Sequence, residues 1–214
     1  MDTQRNYLKM VFRVLTTSVI ILLSFGQSFA QKFPSDLWHE GKIVLLEGAD
    51  TLVGKVKYDL QQDLIQYTSS LKTIEAYSAK KVLFFEIFDV TVHRYRSFYA
   101  LPFTTQSGYK APVFFELLEE GKLTLLAREA IETKTYSSIY YYGSYSRQIL
   151  VYRYFFLDES GMIAEFTGNK KDLLELMGKK ADAVEDYIKV NRLKLDEKFD
   201  FAQIVKYYNS LFGT

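Results

Sequence analysis

Between Gly41 and Phe166 the chain keeps returning to one unit: a short run of alternating apolar and polar side chains, closed by Gly, Asp or Ser. A two-residue period puts successive side chains on opposite faces of a sheet, so this stretch demands strands with one face on a core and leaves no room for a helical bundle. Residues 42–46, the turn Glu47-Gly48-Ala49-Asp50 and residues 51–58 predict a hairpin. In its second arm Leu52, Val56 and Tyr58 point one way, and Lys55 and Lys57 the other. Further strands are expected over 64–68, 73–77, 82–88, 94–101, 113–118, 123–130 and 149–157, with a last one over 162–166 after the turn Asp158-Glu159-Ser160-Gly161. Strands this short and this closely spaced imply antiparallel sheets packed as a sandwich or a partly closed barrel.

After Gly168 the composition shifts to Lys, Asp, Glu and Leu and the period becomes helical. Asn169 can cap a helix over 170–177 that Gly178 stops. A second, over 180–191, sets Ala183, Val184, Tyr187 and Ile188 against Glu185, Asp186 and Lys189. For the third, Asp200 is the expected cap, with Gln203 three residues on and Phe199 placed to staple against Ile204. Its apolar face runs through Val205, Tyr208, Leu211 and Phe212 to a stop at Gly213. The expected fold class is mainly β (α+β), with two or three C-terminal helices. No Pro- or Ser-rich linker interrupts the chain, so residues 31–214 read as a single β-rich domain whose segment 169–212 is helical.

Residues 1–30 have the order of a secretory signal peptide: basic Arg5, Lys9 and Arg13, an apolar run from Val14 to Phe25, then Gly26-Gln27-Ser28-Phe29-Ala30. The apolar run falls short of the ~20 residues that a spanning helix needs. Cleavage after Ala30 would leave 184 residues, with 24 basic against 25 acidic. The expected location is therefore outside the cytoplasm, periplasmic or associated with an outer membrane, with no transmembrane helix once the leader is gone. The absence of Cys excludes thiolate zinc sites and a disulfide framework, and leaves no lipidation residue at the cut. A balance of 27 Lys+Arg and 26 Asp+Glu gives no electrostatic case for nucleic acid. Seventeen Tyr and 17 Phe would supply the girdles of a transmembrane barrel, but three charged helices at the C-terminus oppose that reading.

Motifs for catalysis are missing. The chain has no Gly-x-Ser-x-Gly elbow, and its two histidines, His39 and His93, lie in unrelated contexts. His39, ahead of the first strand, reads as an edge or surface residue. Metal-ligand spacings and a glycine-rich phosphate loop are also lacking, so neither metal nor cofactor is expected. A carboxylate pair can hydrolyse glycosides without any sequence motif. Glu116, Glu119 and Glu120, however, read as a solvated hairpin end. The expectation is a protein that is not an enzyme.

One segment stands apart: Tyr136-Ser-Ser-Ile-Tyr-Tyr-Tyr-Gly-Ser-Tyr-Ser-Arg147. Tyr with Ser and Gly is the composition of binding loops, because a phenol offers contact area and a hydrogen bond at low entropic cost. Tyr140, Tyr141, Tyr142, Tyr145 and Arg147 are therefore the candidate contact residues, for an envelope protein or a glycan. The same residues also suit a long β-hairpin with Tyr on the sheet, since Tyr is a good strand former. Arg94, Tyr95, Arg96, Phe98 and Tyr99 form a second basic-aromatic strip, read as cross-strand pairs.

Four pieces of the chain resemble a group of uncharacterised exported proteins of Bacteroidota. They are Gly41-Lys-Ile-Val-Leu with Asp50-Thr-Leu-Val-Gly-Lys-Val-Lys-Tyr-Asp59, Tyr77-Ser-Ala-Lys-Lys-Val-Leu-Phe-Phe85, Phe114-Phe-Glu-Leu-Leu-Glu-Glu-Gly-Lys-Leu-Thr-Leu125 and Val205-Lys-Tyr-Tyr-Asn-Ser-Leu211. The resemblance implies a β-rich envelope protein of a Gram-negative cell with no assigned activity, and brings no catalytic residue. The sequence thus points to a non-enzymatic binding or interaction module working through the Tyr-rich segment. A lipocalin-like carrier of an apolar ligand and a small carboxylate-dependent hydrolase are the alternatives.

Overall fold

The alternating segments become ten strands in a computed structural model that describes residues 33–47, 51–70, 72–104, 108–138 and 143–213. The leader expected over residues 1–30 lies outside the described residues. The strands are β1 (His39–Leu45), β2 (Thr51–Asp59), β3 (Leu64–Thr68), β4 (Glu75–Ser78), β5 (Val82–Asp89), β6 (Arg94–Thr104), β7 (Lys110–Glu119), β8 (Thr124–Ser138), β9 (Gly143–Leu157) and β10 (Ile163–Phe166). All pair antiparallel with their neighbours in one sheet, in the order β10-β9-β8-β7-β6-β5-β1-β2-β3-β4. The fold is mainly β with helices at the C-terminal end, and its strands share a single sheet that does not close into a barrel.

The link between β4 and β5 shows that the sheet curls. In a flat sheet these two strands would lie four spacings apart, roughly 19 Å. Only residues 79–81 join them, and the Lys81 N–H donates to the Ser78 carbonyl at 2.9 Å, a turn that holds its ends within about 7 Å. β1–β4 must therefore roll back over the face of β5 and β6. The roll is filled by Ile43, Val56, Tyr58, Ile65, Tyr67, Phe85, Phe98 and Phe114, all buried. Phe85 and Phe98 stack with ring centroids 4.5 Å apart, and Tyr58 meets Phe85, Phe98 and Phe114 edge-on at 5.6–5.7 Å. Gly41 in β1 is a condition of this approach, because a Cβ there would collide with the Glu86 carbonyl oxygen.

Helices α1 (Lys170–Met177), α2 (Ala181–Asn191) and α3 (Lys198–Ser210) cover the neighbouring part of the sheet. Their apolar faces, led by Leu173, Val184, Ile188, Phe201, Ile204 and Tyr208, bury Leu125, Ala127, Tyr154 and Phe156. α1 has the expected ends. The Asn169 side chain accepts the Lys171 and Asp172 N–H groups, Asp172 accepts the Asn169 N–H at 2.8 Å, and Gly178 takes φ +54°. α3 departs from expectation, starting at Lys198 with Glu197 as its N-cap. Asp200 accepts the Lys194 N–H at 3.0 Å, and Phe199 stays 40% exposed beneath the Arg94 guanidinium, 4.4 Å away. The cause is Lys198, whose ammonium is drawn down onto the sheet at Glu116 and fixes the first turn three residues early.

The opposite face of β6–β10 carries a third cluster, Val113, Phe115, Leu126 and Phe155 with Leu101, Phe103 and Leu117 against it. Among the described residues no helix is long and apolar enough to cross a membrane.

Candidate functional site

β8 and β9 run further than their apolar cores require. The β7 ladder ends where Glu116 meets Ala127, yet β8 and β9 stay paired from Arg128↔Arg153 out to Ser138↔Gly143, roughly 34 Å of two-stranded ribbon. Along its outer half, residues 132–135 and 143–148 are all exposed. A ribbon wet on both faces gains nothing from a core and depends on its cross-strand pairs. Tyr136 and Tyr145 stand directly opposite and stack, with centroids 5.3 Å apart and planes at 17°. On the same face Lys134 and Arg147 oppose each other, a like-charge pair offset by the π-face of Tyr136, whose centroid lies 5.7 Å from the Lys134 ammonium and 5.8 Å from the Arg147 guanidinium. The other face is hydroxylic: Thr135 and Ser146 share a 2.7 Å hydrogen bond, flanked by the Thr133/Gln148 and Ser137/Ser144 pairs.

Of the residues singled out in the sequence, Tyr145 and Arg147 lie together on this tip, with Tyr145 58% exposed. Tyr140, Tyr141 and Tyr142 lie outside the described residues. Tyr136 and Lys134 complete the tip. Register brings them there, Tyr136 opposite Tyr145 and Lys134 opposite Arg147, a pairing that no spacing along the chain shows.

At the root of the ribbon, on the face beneath the helices, lies a buried ionic cluster. The Arg96 guanidinium donates from Nε and Nη2 to both oxygens of Glu116 at 2.9 and 2.8 Å, from Nη1 to Asp89 Oδ2 at 2.9 Å, and from Nη2 to Glu129. Lys198 of α3 donates to Glu116 Oε2 at 2.7 Å, and the second Asp89 oxygen accepts from the backbone and hydroxyl of Thr91. Glu116 is therefore no solvated hairpin end, as its sequence context had implied. It sits two residues after buried Phe114, on the inward face of β7.

Burial pushes the carboxyls of the cluster up and Arg96 draws them down, with different outcomes. Glu116, with two cations on it, and Asp89, with Thr91 and Arg96, are held below the ordinary carboxylate range. Glu129 goes the other way, raised by burial and by the nearby Glu116 charge despite Arg96. Burial also lowers Lys198 and takes the Tyr152 phenol up to about 12. Through these bonds the cluster acts as a clamp between the sheet and α3.

His39 is buried as well, contrary to the edge or surface role expected, with Nε2 3.0 Å from the Pro34 carbonyl oxygen. His93 is held in the β5–β6 turn at φ +52°. Among the described residues no three His, Asp or Glu side chains are grouped to hold a metal ion. Comparison with protein-family models, with curated proteins and with solved structures finds no match to this chain.

Proposed function

We propose that this chain is an exported cell-envelope protein that works as a non-enzymatic interaction module, presenting the tip of the β8–β9 ribbon to an envelope protein or glycan. The carrying observation is the ribbon itself: long strands kept paired beyond the sheet, wet on both faces, and topped by a Tyr136–Tyr145 stack flanked by Lys134 and Arg147. Folding does not reward such an extension, because ordering each residue costs ~1–2 kcal/mol of backbone entropy and almost nothing is buried in return. Stacked phenols beside cations do reward contact, with sugar faces and carbonyl groups as well as with protein side chains. Export rests on the leader-like order of residues 1–30.

A photoreactive phenylalanine analogue placed at position 145 tests this in intact cells. Illumination is expected to give one discrete heavier adduct at position 145 and none at position 190, where Val190 is 80% exposed on α2. The same ladder of products from both positions would contradict the assignment.

A further inference from the structure

A cleft of about 530 Å³ opens where the ribbon leaves the sheet, on the face opposite the ionic cluster, between the β2–β3 turn and β8–β9. Leu60, Phe103 and Phe155 give it an apolar wall, and Arg128 and Arg153 a polar one. Its size is that of pockets for small organic molecules.

Two features of its arginines are unexplained by the fold. Arg128 and Arg153 are directly opposed in the β8–β9 register, so like charges face each other across one strand spacing. The Nε of Arg128 is also buried without a hydrogen-bond partner among the described residues, a donor that folded proteins rarely leave unmet. The acids that face these groups leave this situation in place. Asp63, on the β2–β3 turn, engages only Nη2 of Arg128, at 3.2 Å. Glu132 engages Nη2 of Arg153 at 3.0 Å, and the Glu129 carboxylate is turned through the sheet onto Arg96. Glu165 completes the charges of the lining.

We propose that this cleft binds a small organic monocarboxylate, its carboxylate on Arg128 and Arg153 and its apolar body against Leu60 and Phe103. One carboxylate has two acceptor oxygens whose spacing suits guanidinium donors, so it can bridge the heads of Arg128 and Arg153 and offset the opposed charges. Phe103, half-buried, stands edge to face on the buried Phe155 at 5.5 Å and with half-buried Leu60 offers apolar surface to an alkyl or aryl chain. Glu165 makes the site selective, since a second carboxylate at the far end of the ligand would be repelled there.

Isothermal titration with octanoate, octanamide and suberate tests the proposal on the purified protein. Octanoate is expected to bind once per chain, with octanamide and suberate at least tenfold weaker. Arg153→Gln should weaken octanoate at least tenfold while leaving the melting temperature unchanged, because that side chain is 50% exposed. Arg128→Gln should do the same, and Phe103→Ala should weaken octanoate and octanamide alike. No octanoate binding, equal binding of octanamide, or an Arg153→Gln protein that binds octanoate like the parent would each overturn it.

Discussion

Replacing Arg96 with methionine is expected to destabilise the protein by about 3–5 kcal/mol, because it strands three buried carboxylates, Asp89, Glu116 and Glu129, of which Lys198 can answer only one. The loss should depend on pH with a definite sign. In the parent, Asp89 and Glu116 are held below their ordinary values, so their stabilisation is present above the ordinary carboxylate range and is lost as pH falls through the folded values. Glu129 is held above its ordinary value near 4.5, so its contribution is full below that value and is lost as pH rises through the folded one. Without the guanidinium all three carboxyls move upward and behave as Glu129 does. Urea unfolding at pH 8, 6.5 and 5 should therefore show the Arg96→Met deficit shrinking toward acid. A deficit that stays constant, or that grows toward acid, would show that the cluster is not held by Arg96 as described.

Phe201→Ala carries a loss of similar size for a different reason. Phe201 is fully buried where α3 meets the sheet, with ring centroids 4.8 Å from Tyr154, 6.0 Å from Phe156 and 5.7 Å from Phe166. Truncating a phenylalanine so enclosed removes its transfer free energy and leaves a cavity, together about 3–5 kcal/mol. For a chain of this size that lowers the melting temperature by roughly 6–20 °C. Hydrogen exchange should show protection falling first over α1–α3, while amides in the curled β1–β5 layer keep theirs, since a separate core fills that roll. The neighbouring Phe199→Ala, which removes a half-exposed ring, is expected to change stability by less than ~1 kcal/mol. Equal losses from the two substitutions would contradict the placement of α3.

How much of this was legible in the sequence varied with the range of the interactions. The strands over 64–68, 82–88 and 94–101 and the capped helix after Asn169 rest on local alternation, a cap and a stop, and each forms near its expected place. The curl was not legible, because the three residues after Ser78 look like any turn until β5 is known to pair with β1. The ionic cluster joins residues 20, 33 and 82 positions apart, beyond the reach of any local pattern. A signal existed nonetheless: Arg96 and Glu116 each stand two residues from a core phenylalanine, Phe98 and Phe114, so the two-residue period had already pointed both charges inward. The ribbon was under-read for the opposite reason. Its outer residues are mostly Ser, Thr, Tyr and Gly, which suit a loop by polarity, while the strand preference of Tyr favoured the long hairpin that forms. Register then brought Tyr145 and Arg147 together with Tyr136 and Lys134, which no spacing along the chain reveals.

The most direct test of the central claim is the envelope association of a tip variant carrying Tyr136→Ser, Tyr145→Ser and Arg147→Ser, quantified by cross-linking in intact cells against the parent at equal expression. These side chains lie outside all three cores, so the melting temperature should move by no more than about 2 °C for surface changes of this kind. Association, in contrast, should fall at least tenfold. A variant that melts like the parent and associates like the parent would show that the ribbon is not the contact element.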